Sequence, residues 1–270
     1  MVQNFLFNNH SLWQIAPSWA KIFRNYKIGK HDFDNSPFPI TASMIKKACQ
    51  RFRETSQKEV RILCKQDTRD SRPQVFKDKG LFLLPTRNGQ YVIVKGEGYV
   101  DIPAIQSEPV VYHSALDFKL ESSDIGDSEM QHLDFAYASS LVRTFVGDPS
   151  LLLTIRGRKY TPDFSLNVGN NQIAVSGVQT EVDAGYEGRD QIVLIEAKNS
   201  EVSDTIIRQL YYPYRQWKSQ TTKDVTLLFF DKGHDGVYNI WQFGFRNELD
   251  YNSIYLIKSG RYIIDGPNSV

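Results

Sequence analysis

Gln191-Ile-Val-Leu-Ile195 is an unbroken apolar run rich in β-branched residues, and it ends in Glu196-Ala197-Lys198. A run of this kind reads as a buried strand. Side chains alternate along a strand, so Glu196 and Lys198 leave it on the same face, one step apart. A carboxylate and an ammonium at the end of a buried strand are costly unless paired with each other or engaged with a ligand. No other segment constrains the chain as much. A sheet must form around this strand, and two charges must find partners.

Upstream stand Glu181-Val-Asp183 and the turn-forming Glu187-Gly-Arg-Asp190. A hairpin of Val178–Asp183 with Gln191–Lys198 puts the midpoint of positions 183 and 196 inside that turn. Asp183 is therefore expected to face Glu196 across the ladder, with Lys198 nearby and Glu181 on the face of Asp183. Two carboxylates at close range invite a hard divalent cation such as Mg²⁺. A lysine beside them can orient or activate water, or offset charge developing on a phosphate. The plain structural alternative is a Glu196–Lys198 salt bridge at a strand end, with Asp183 as a turn residue.

The rest of the C-terminal half supplies a frame for this site. A helix is expected from Asp127 or Ser128 to about Val146, stopped by Gly147-Asp-Pro149. Strands follow at 151–155 and 160–168, a turn at Gly169-Asn-Asn171, and a strand over 172–183. A second helix is expected from Asp204 to about Lys218, with Ile207, Leu210, Tyr214 and Trp217 on one face. Strands 225–230, 237–245 and 254–264 complete an α/β pattern with a mixed sheet.

Charge divides the chain. Residues 1–95 hold 17 Lys/Arg against 7 Asp/Glu, whereas 96–150 hold 2 against 10. A basic block of this size suits a polyanion, although a solvated surface would look the same. In that block Thr41 is expected to cap a helix to about Phe52, and Val60–Cys64 to form a short strand. Ser71-Arg-Pro73 opens a helical turn through Lys77. Asn88-Gly89 between apolar runs signals a hairpin. Helix, basic loop and hairpin is what a winged helix-turn-helix would show, and a plain α+β packing unit fits the same string. The acidic, Ser/Asp-rich stretch from Pro103 to about Asp127 reads as a linker. The expected organisation is a basic N-terminal part over 1–105, a linker over 106–126 and a catalytic domain over 127–270.

Several classes are excluded or disfavoured. No apolar run approaches the ~20 residues of a membrane helix. Met1–Phe7 lacks the basic region and cleavage site of a secretion signal. Cys49 and Cys64 are far apart, so neither a disulfide framework nor a cysteine zinc site is expected, and a reducing cytoplasm is the expected compartment. His10, His31, His113, His132 and His234 show no metal spacing.

A helix, an acidic residue in a β-hairpin, Glu-x-Lys and a following helix together resemble the PD-(D/E)XK nuclease superfamily, which includes most type II restriction endonucleases. The resemblance covers about residues 127–245. It implies a restriction-endonuclease-like mixed β-sheet flanked by helices. It also implies metal-binding and catalytic roles for Asp183, Glu196 and Lys198. Thr161-Pro162-Asp163-Phe164 spells the family's Pro-Asp literally, so Asp163 competes with Asp183 as the metal ligand. Hairpin geometry favours Asp183, and motif spelling favours Asp163. Gln209, on the helix after the site, takes the place of a glutamine that lies beside the active site in several branches. Glu129 on the first helix is a further carboxylate candidate, with a helix N-terminal charge as its plainer reading.

The resemblance implies a Mg²⁺-dependent endonuclease, with Mn²⁺ able to substitute, that hydrolyses double-stranded DNA at a specific sequence. It would act as a homodimer, with a cognate DNA methyltransferase in the same system and no membrane partner. Arg69, Arg72, Lys77, Lys79, Arg87, Lys95, Arg208 and Arg215 are the candidate DNA contacts. A non-catalytic DNA-binding regulator on the same scaffold is one alternative. Another is a structure-specific repair or recombination nuclease, in which Tyr211, Tyr212, Tyr214 and Trp217 would stack bases.

Overall fold

The computed structural model describes residues 15–233 and 235–266. The reading of Met1–Phe7, and the histidines His10 and His234, lie outside the described residues. The chain opens with a helix through residues 15–25 (α1), followed by strand β1 (Phe38–Thr41) and helices α2 (Ala42–Cys49), α3 (Thr55–Lys58), α4 (Val60–Leu63) and α5 (Gln74–Lys77). Thr41 caps α2 as expected, its Oγ1 accepting the Met44 N–H at 3.2 Å. Strands β2 (Leu81–Arg87) and β3 (Gln90–Lys95) form the hairpin, with Gly89 at φ +72° in its turn. With β1 they make an antiparallel sheet in the order β1-β3-β2. Trp19, Ile22, Ile45, Leu63 and Phe76 are buried together beneath it. Val60–Leu63 is a helical turn, not the expected strand. Val60 and Leu63 are both buried while Arg61 between them is exposed. That i, i+3 pattern, closed by Cys64 N–H to Val60 O at 2.8 Å, is the helical period.

Strands β4 (Tyr99–Asp101) and β5 (Val110–His113) follow, then helices α6 (Glu129–Ala138) and α7 (Leu141–Val146). The stretch read as a linker thus contains β5, which pairs in parallel with the last strand of the chain. The single expected helix over 128–146 is two helices, because Ser140 takes a left-handed conformation (φ +68°) between them. Next come β6 (Leu152–Tyr160), β7 (Phe164–Val168), β8 (Asn171–Val175), β9 (Gln179–Glu187), β10 (Gln191–Lys198) and β11 (Asp204–Ile206). Helix α8 (Arg208–Lys218) and strands β12 (Asp224–Lys232), β13 (Tyr238–Phe245) and β14 (Ile254–Asp265) complete the order. The strand expected over 172–183 is broken at Gly177 (φ +60°), where the Thr161 hydroxyl takes the Val178 N–H at 3.0 Å. Asp204–Ile206 begins no helix. It pairs with Tyr99–Asp101, and α8 starts only at Arg208.

The main sheet has seven strands in the order β5-β14-β13-β12-β10-β9-β6. β10 and β12 are parallel, joined across α8, while β9 is antiparallel to β10 and β6 antiparallel to β9. One face packs on α6 and α7 through Leu133, Leu141, Val193, Ile195 and Phe230. The other packs on α8 through Leu194, Leu210, Phe229 and Trp241. β10 is therefore covered on both sides, which is why it reads as an unbroken apolar run. A further core, with Phe82, Tyr99, Tyr211, Tyr212 and Tyr251, joins the N-terminal sheet to α8. The architecture is mixed α/β, a large mixed sheet flanked by helices. Among the described residues no helix is long and apolar enough to cross a membrane.

Candidate active site

The β9–β10 ladder runs from Ile192↔Glu187 to Ile195↔Ala184, which is the register expected from the turn between them. One further step would set position 183 against position 196. Instead, the Asp183 carboxylate itself accepts the Ala197 N–H at 2.8 Å, taking the place of a ladder carbonyl. The cause lies on the opposite edge of β9. Between the pairs Ile155↔Gly185 and Gly157↔Val182, β9 carries two residues, Asp183 and Ala184, against the single Arg156 of β6. A bulge of this kind bends the strand and re-aims a side chain.

Glu196 projects from β10 toward α8. Its Oε1 is the meeting point of two donors, the Lys198 ammonium and the Gln209 amide, the latter at 2.6 Å. Gln209 is itself held, since the Thr205 hydroxyl donates to its Oε1 at 2.7 Å. Thr205 is fully buried on β11. Burial pushes the Glu196 carboxyl up to about 7, Lys198 opposes this, and the nearby Asp183 charge adds to it. Asp183 is raised by burial too, with the Ala197 N–H and Lys198 working the other way. Burial disfavours the Lys198 ammonium, but Glu196, Asp183 and Glu129 outweigh it and raise its pKa. Lys198 is thus a fixed cation and donor at neutral pH.

These groups open into a cleft of about 840 Å³. Its floor holds Asp183, Glu196 and Lys198. Glu129 and Glu181 stand at its sides, and the loop with Asp67, Asp70 and Ser71 forms the N-terminal wall. That loop is tied to β11 by Arg69 N–H to Asp204 Oδ1 at 2.7 Å and by Ile206 N–H to Asp67 O at 2.8 Å. Among the described residues no three His, Cys, Asp or Glu side chains form a ready metal cluster. The carboxylates lining the cleft include the expected pair of ligands, Asp183 and Glu196. That pair fits Mg²⁺, which keeps several waters and takes one or two protein carboxylates.

The other candidates are placed as follows. Asp163 is exposed, outside the cleft, and accepts from the Ser176 hydroxyl. Glu181 lines the cleft and meets Arg158 at 3.4 Å. Glu129 accepts the Asn199 N–H at 3.2 Å, so it braces the end of β10 from α6. Arg87 and Arg208 line a common second cleft. Arg69 is engaged with Asp101 at 2.5 Å and Glu97 at 3.4 Å, and Lys95 with Asp34 at 2.7 Å. Arg72 lies over the Tyr99 ring at 4.9 Å and donates to Leu81 O. Lys77 pairs with Asp70 at 3.4 Å, and Lys79 is exposed. Arg215 donates to the carbonyls of Ser165 and Glu248. Tyr211 and Tyr212 are buried in the core, their hydroxyls bonded to Glu248 O and Pro85 O. Tyr214 packs in the core, tilted on Phe245, and Trp217 is partly buried beside it.

Sequence reasoning took Arg69 as a DNA contact but did not single out Thr205, nor Asp67, Asp70 and Ser71 as a wall of the site. Thr205 lies in a segment whose pattern reads as a helix start. The wall is far from the site in the chain, and no local periodicity marks it.

A family model described as a domain of unknown function, DUF6997, matches residues 94–263. A second, described as a domain of unknown function, DUF6996, matches residues 16–93. No curated protein and no solved structure matches the chain.

Proposed function

For this chain, which belongs to the DUF6997 family, we propose the activity of a Mg²⁺-dependent endonuclease that hydrolyses phosphodiester bonds of double-stranded DNA at a specific sequence, in the manner of a type II restriction enzyme. The proposal includes a restriction-endonuclease-like core, with the basic N-terminal module as its DNA-binding part and a winged helix as the closest description of that module. It also includes a cytoplasmic homodimer and a cognate DNA methyltransferase. One observation carries the reading: Asp183, Glu196 and Lys198 line one cleft between the main sheet and the N-terminal module, with Gln209 bonded to Glu196.

Asp183 and Glu196 would hold the ion, Mg²⁺ or in its place Mn²⁺, which supplies charge neutralisation at the phosphate and a more acidic bound water. Lys198, kept protonated by its carboxylate neighbours, donates to water or to a phosphate oxygen as negative charge develops there. Gln209 holds the Oε1 oxygen of Glu196, a residue that lines the cleft. The burial that raises the Glu196 carboxyl would be offset by a cation held beside it, and ion and carboxylate would then stabilise each other's charge.

The test is incubation of phage DNA with the protein and Mg²⁺, alongside reactions with EDTA and with Lys198→Ala. Discrete fragments with Mg²⁺ alone support the reading. A folded protein that binds DNA equally well in EDTA and as Lys198→Ala, and cuts nothing, is instead a regulator. Cutting confined to branched or single-stranded DNA assigns it to repair or recombination.

A further inference from the structure

Beside the cleft of the carboxylates lies a second, of about 330 Å³. The two share Lys65, Asp67, Gln179 and Arg208 in their walls, so they adjoin as two halves of a groove along the seam between the N-terminal module and the main sheet. The two halves carry opposite charge. The first half gathers Asp70, Glu129, Glu181, Asp183 and Glu196 around Lys198, and Lys65, Asp67 and Arg208 stand on the boundary that both halves share. The second gathers Arg61, Lys65, Arg87 and Arg208 around the single carboxylate Asp67.

That carboxylate is divided. Lys65 stands 3.7 Å from Asp67 and Arg208 stands 3.8 Å from it, both longer than a direct hydrogen bond. Arg61 and Arg87 are exposed, and among the described residues neither forms an ion pair. The second half therefore keeps a surplus of positive charge. Arg69, Lys77 and Lys95 of the same module differ in this respect, since each meets a carboxylate at 3.4 Å or less.

We propose that this basic half-groove is the track for the sugar-phosphate strand leading away from the bond to be cut, with Arg61, Lys65, Arg87 and Arg208 neutralising its phosphates. Arg61 comes from α4, Lys65 from the loop after it, Arg87 from the hairpin and Arg208 from the first turn of α8. Four separate elements thus bring one sign of charge to one channel. An acidic half suits a cation and a basic half suits the flanking phosphates, and a polymer that crosses both is what joins them. Binding would be driven by counterion release, and so would weaken steeply with salt. The inference rests on the nuclease reading above and extends it to the path of the strand.

The experiment uses the full chain, a fluorescent mixed-sequence DNA duplex in EDTA over a salt series, and phage DNA with Mg²⁺ for cleavage. The double variant Arg61→Gln/Arg87→Gln changes two exposed side chains. It is expected to bind the duplex about tenfold or more weakly near 0.1 M salt, and to lower the salt slope by about 2. Arg61→Lys/Arg87→Lys, which keeps the charge, is expected to keep the slope. If the wild type binds and cuts but the glutamine variant keeps its affinity and slope, the track is wrong and the nuclease reading stands. If the wild type neither binds nor cuts, both fall.

Discussion

Gln209, in the first turn of α8, donates its side-chain amide to Glu196 Oε1 at 2.6 Å, across from the end of β10. The Thr205 hydroxyl fixes which way that amide points, since it donates to the Gln209 carbonyl at 2.7 Å. A carboxylate that must present a chosen oxygen to a cation depends on such support. Replacing Gln209 with Met is expected to lower the cleavage rate about 10- to 100-fold and to raise the Mg²⁺ concentration needed. Thr205→Val should act in the same direction with smaller effect, and Thr205→Ser should restore the wild-type rate. Single-turnover cleavage over a Mg²⁺ series measures both. A Gln209→Met protein with wild-type rate and Mg²⁺ dependence would mean that the hydrogen bond is only packing.

Lys198 separates catalysis from stability. In Lys198→Ala the Glu196 carboxylate loses its ion pair in a buried setting, so the fold is expected to lose about 3 kcal/mol. Cleavage is expected to fall by about 10² or more, as when an electrostatic stabiliser is removed from a transition state. Urea unfolding and cleavage, measured on the same preparation, give the two numbers. Loss of stability with activity intact would reduce Lys198 to a structural salt bridge.

The two aspartates give opposite expectations. Asp183 lines the cleft and anchors Ala197, whereas Asp163 is exposed and bonded to Ser176. Asp183→Asn should abolish Mg²⁺-dependent cleavage, and Asp163→Asn should cut at the wild-type rate. The reverse result would restore the Pro-Asp spelling as the ligand.

Asp231, opposite Lys198 in the β10–β12 ladder but not lining the cleft, sets a pH dependence of stability. It is buried at the end of β12, with the Asn239 amide donating to it at 2.7 Å. Burial lifts its carboxyl to about 6, Asn239 and Arg261 oppose this, and the charges of Glu201 and Asp235 add to it. The folded pKa lies above the unfolded value of about 3.9, so the protonated form favours the fold. The contribution is full below about pH 4 and is lost as pH rises through about 6. Asp231→Asn removes the titration. Its stability relative to the wild type should therefore rise with pH, by up to about 3 kcal/mol between about pH 4 and pH 8. Urea unfolding of both proteins across that range checks it, and a constant difference would refute it.

Much of this arrangement is legible before folding. The apolar run at 191–195 announces a strand covered on both faces. The turn at 187–190 yields the observed register, because a hairpin's pairing follows from where its turn lies. Thr41 and Asn88-Gly89 act through local geometry, so a cap and a hairpin could be read from them directly. The errors fall where local pattern and tertiary partner disagree. Val60–Leu63 is too short for periodicity to tell helix from strand. Asp204–Ile206 has a helical surrounding pattern, but β4 captures it as a strand partner.

The sequence alone determined that Glu196 and Lys198 would leave a buried strand together with Asp183 close by, since alternation and turn position are properties of the local chain. Only the tertiary structure decided what those charges meet. The bulge that turns Asp183 onto the Ala197 N–H depends on how β6 pairs with the far edge of β9. The Thr205–Gln209–Glu196 chain depends on β11 pairing with a strand a hundred residues upstream. The wall at 67–71 depends on the docking of the N-terminal module. Each is a contact between distant segments, selected by packing and hydrogen-bond satisfaction across the whole fold, and no local sequence pattern encodes it.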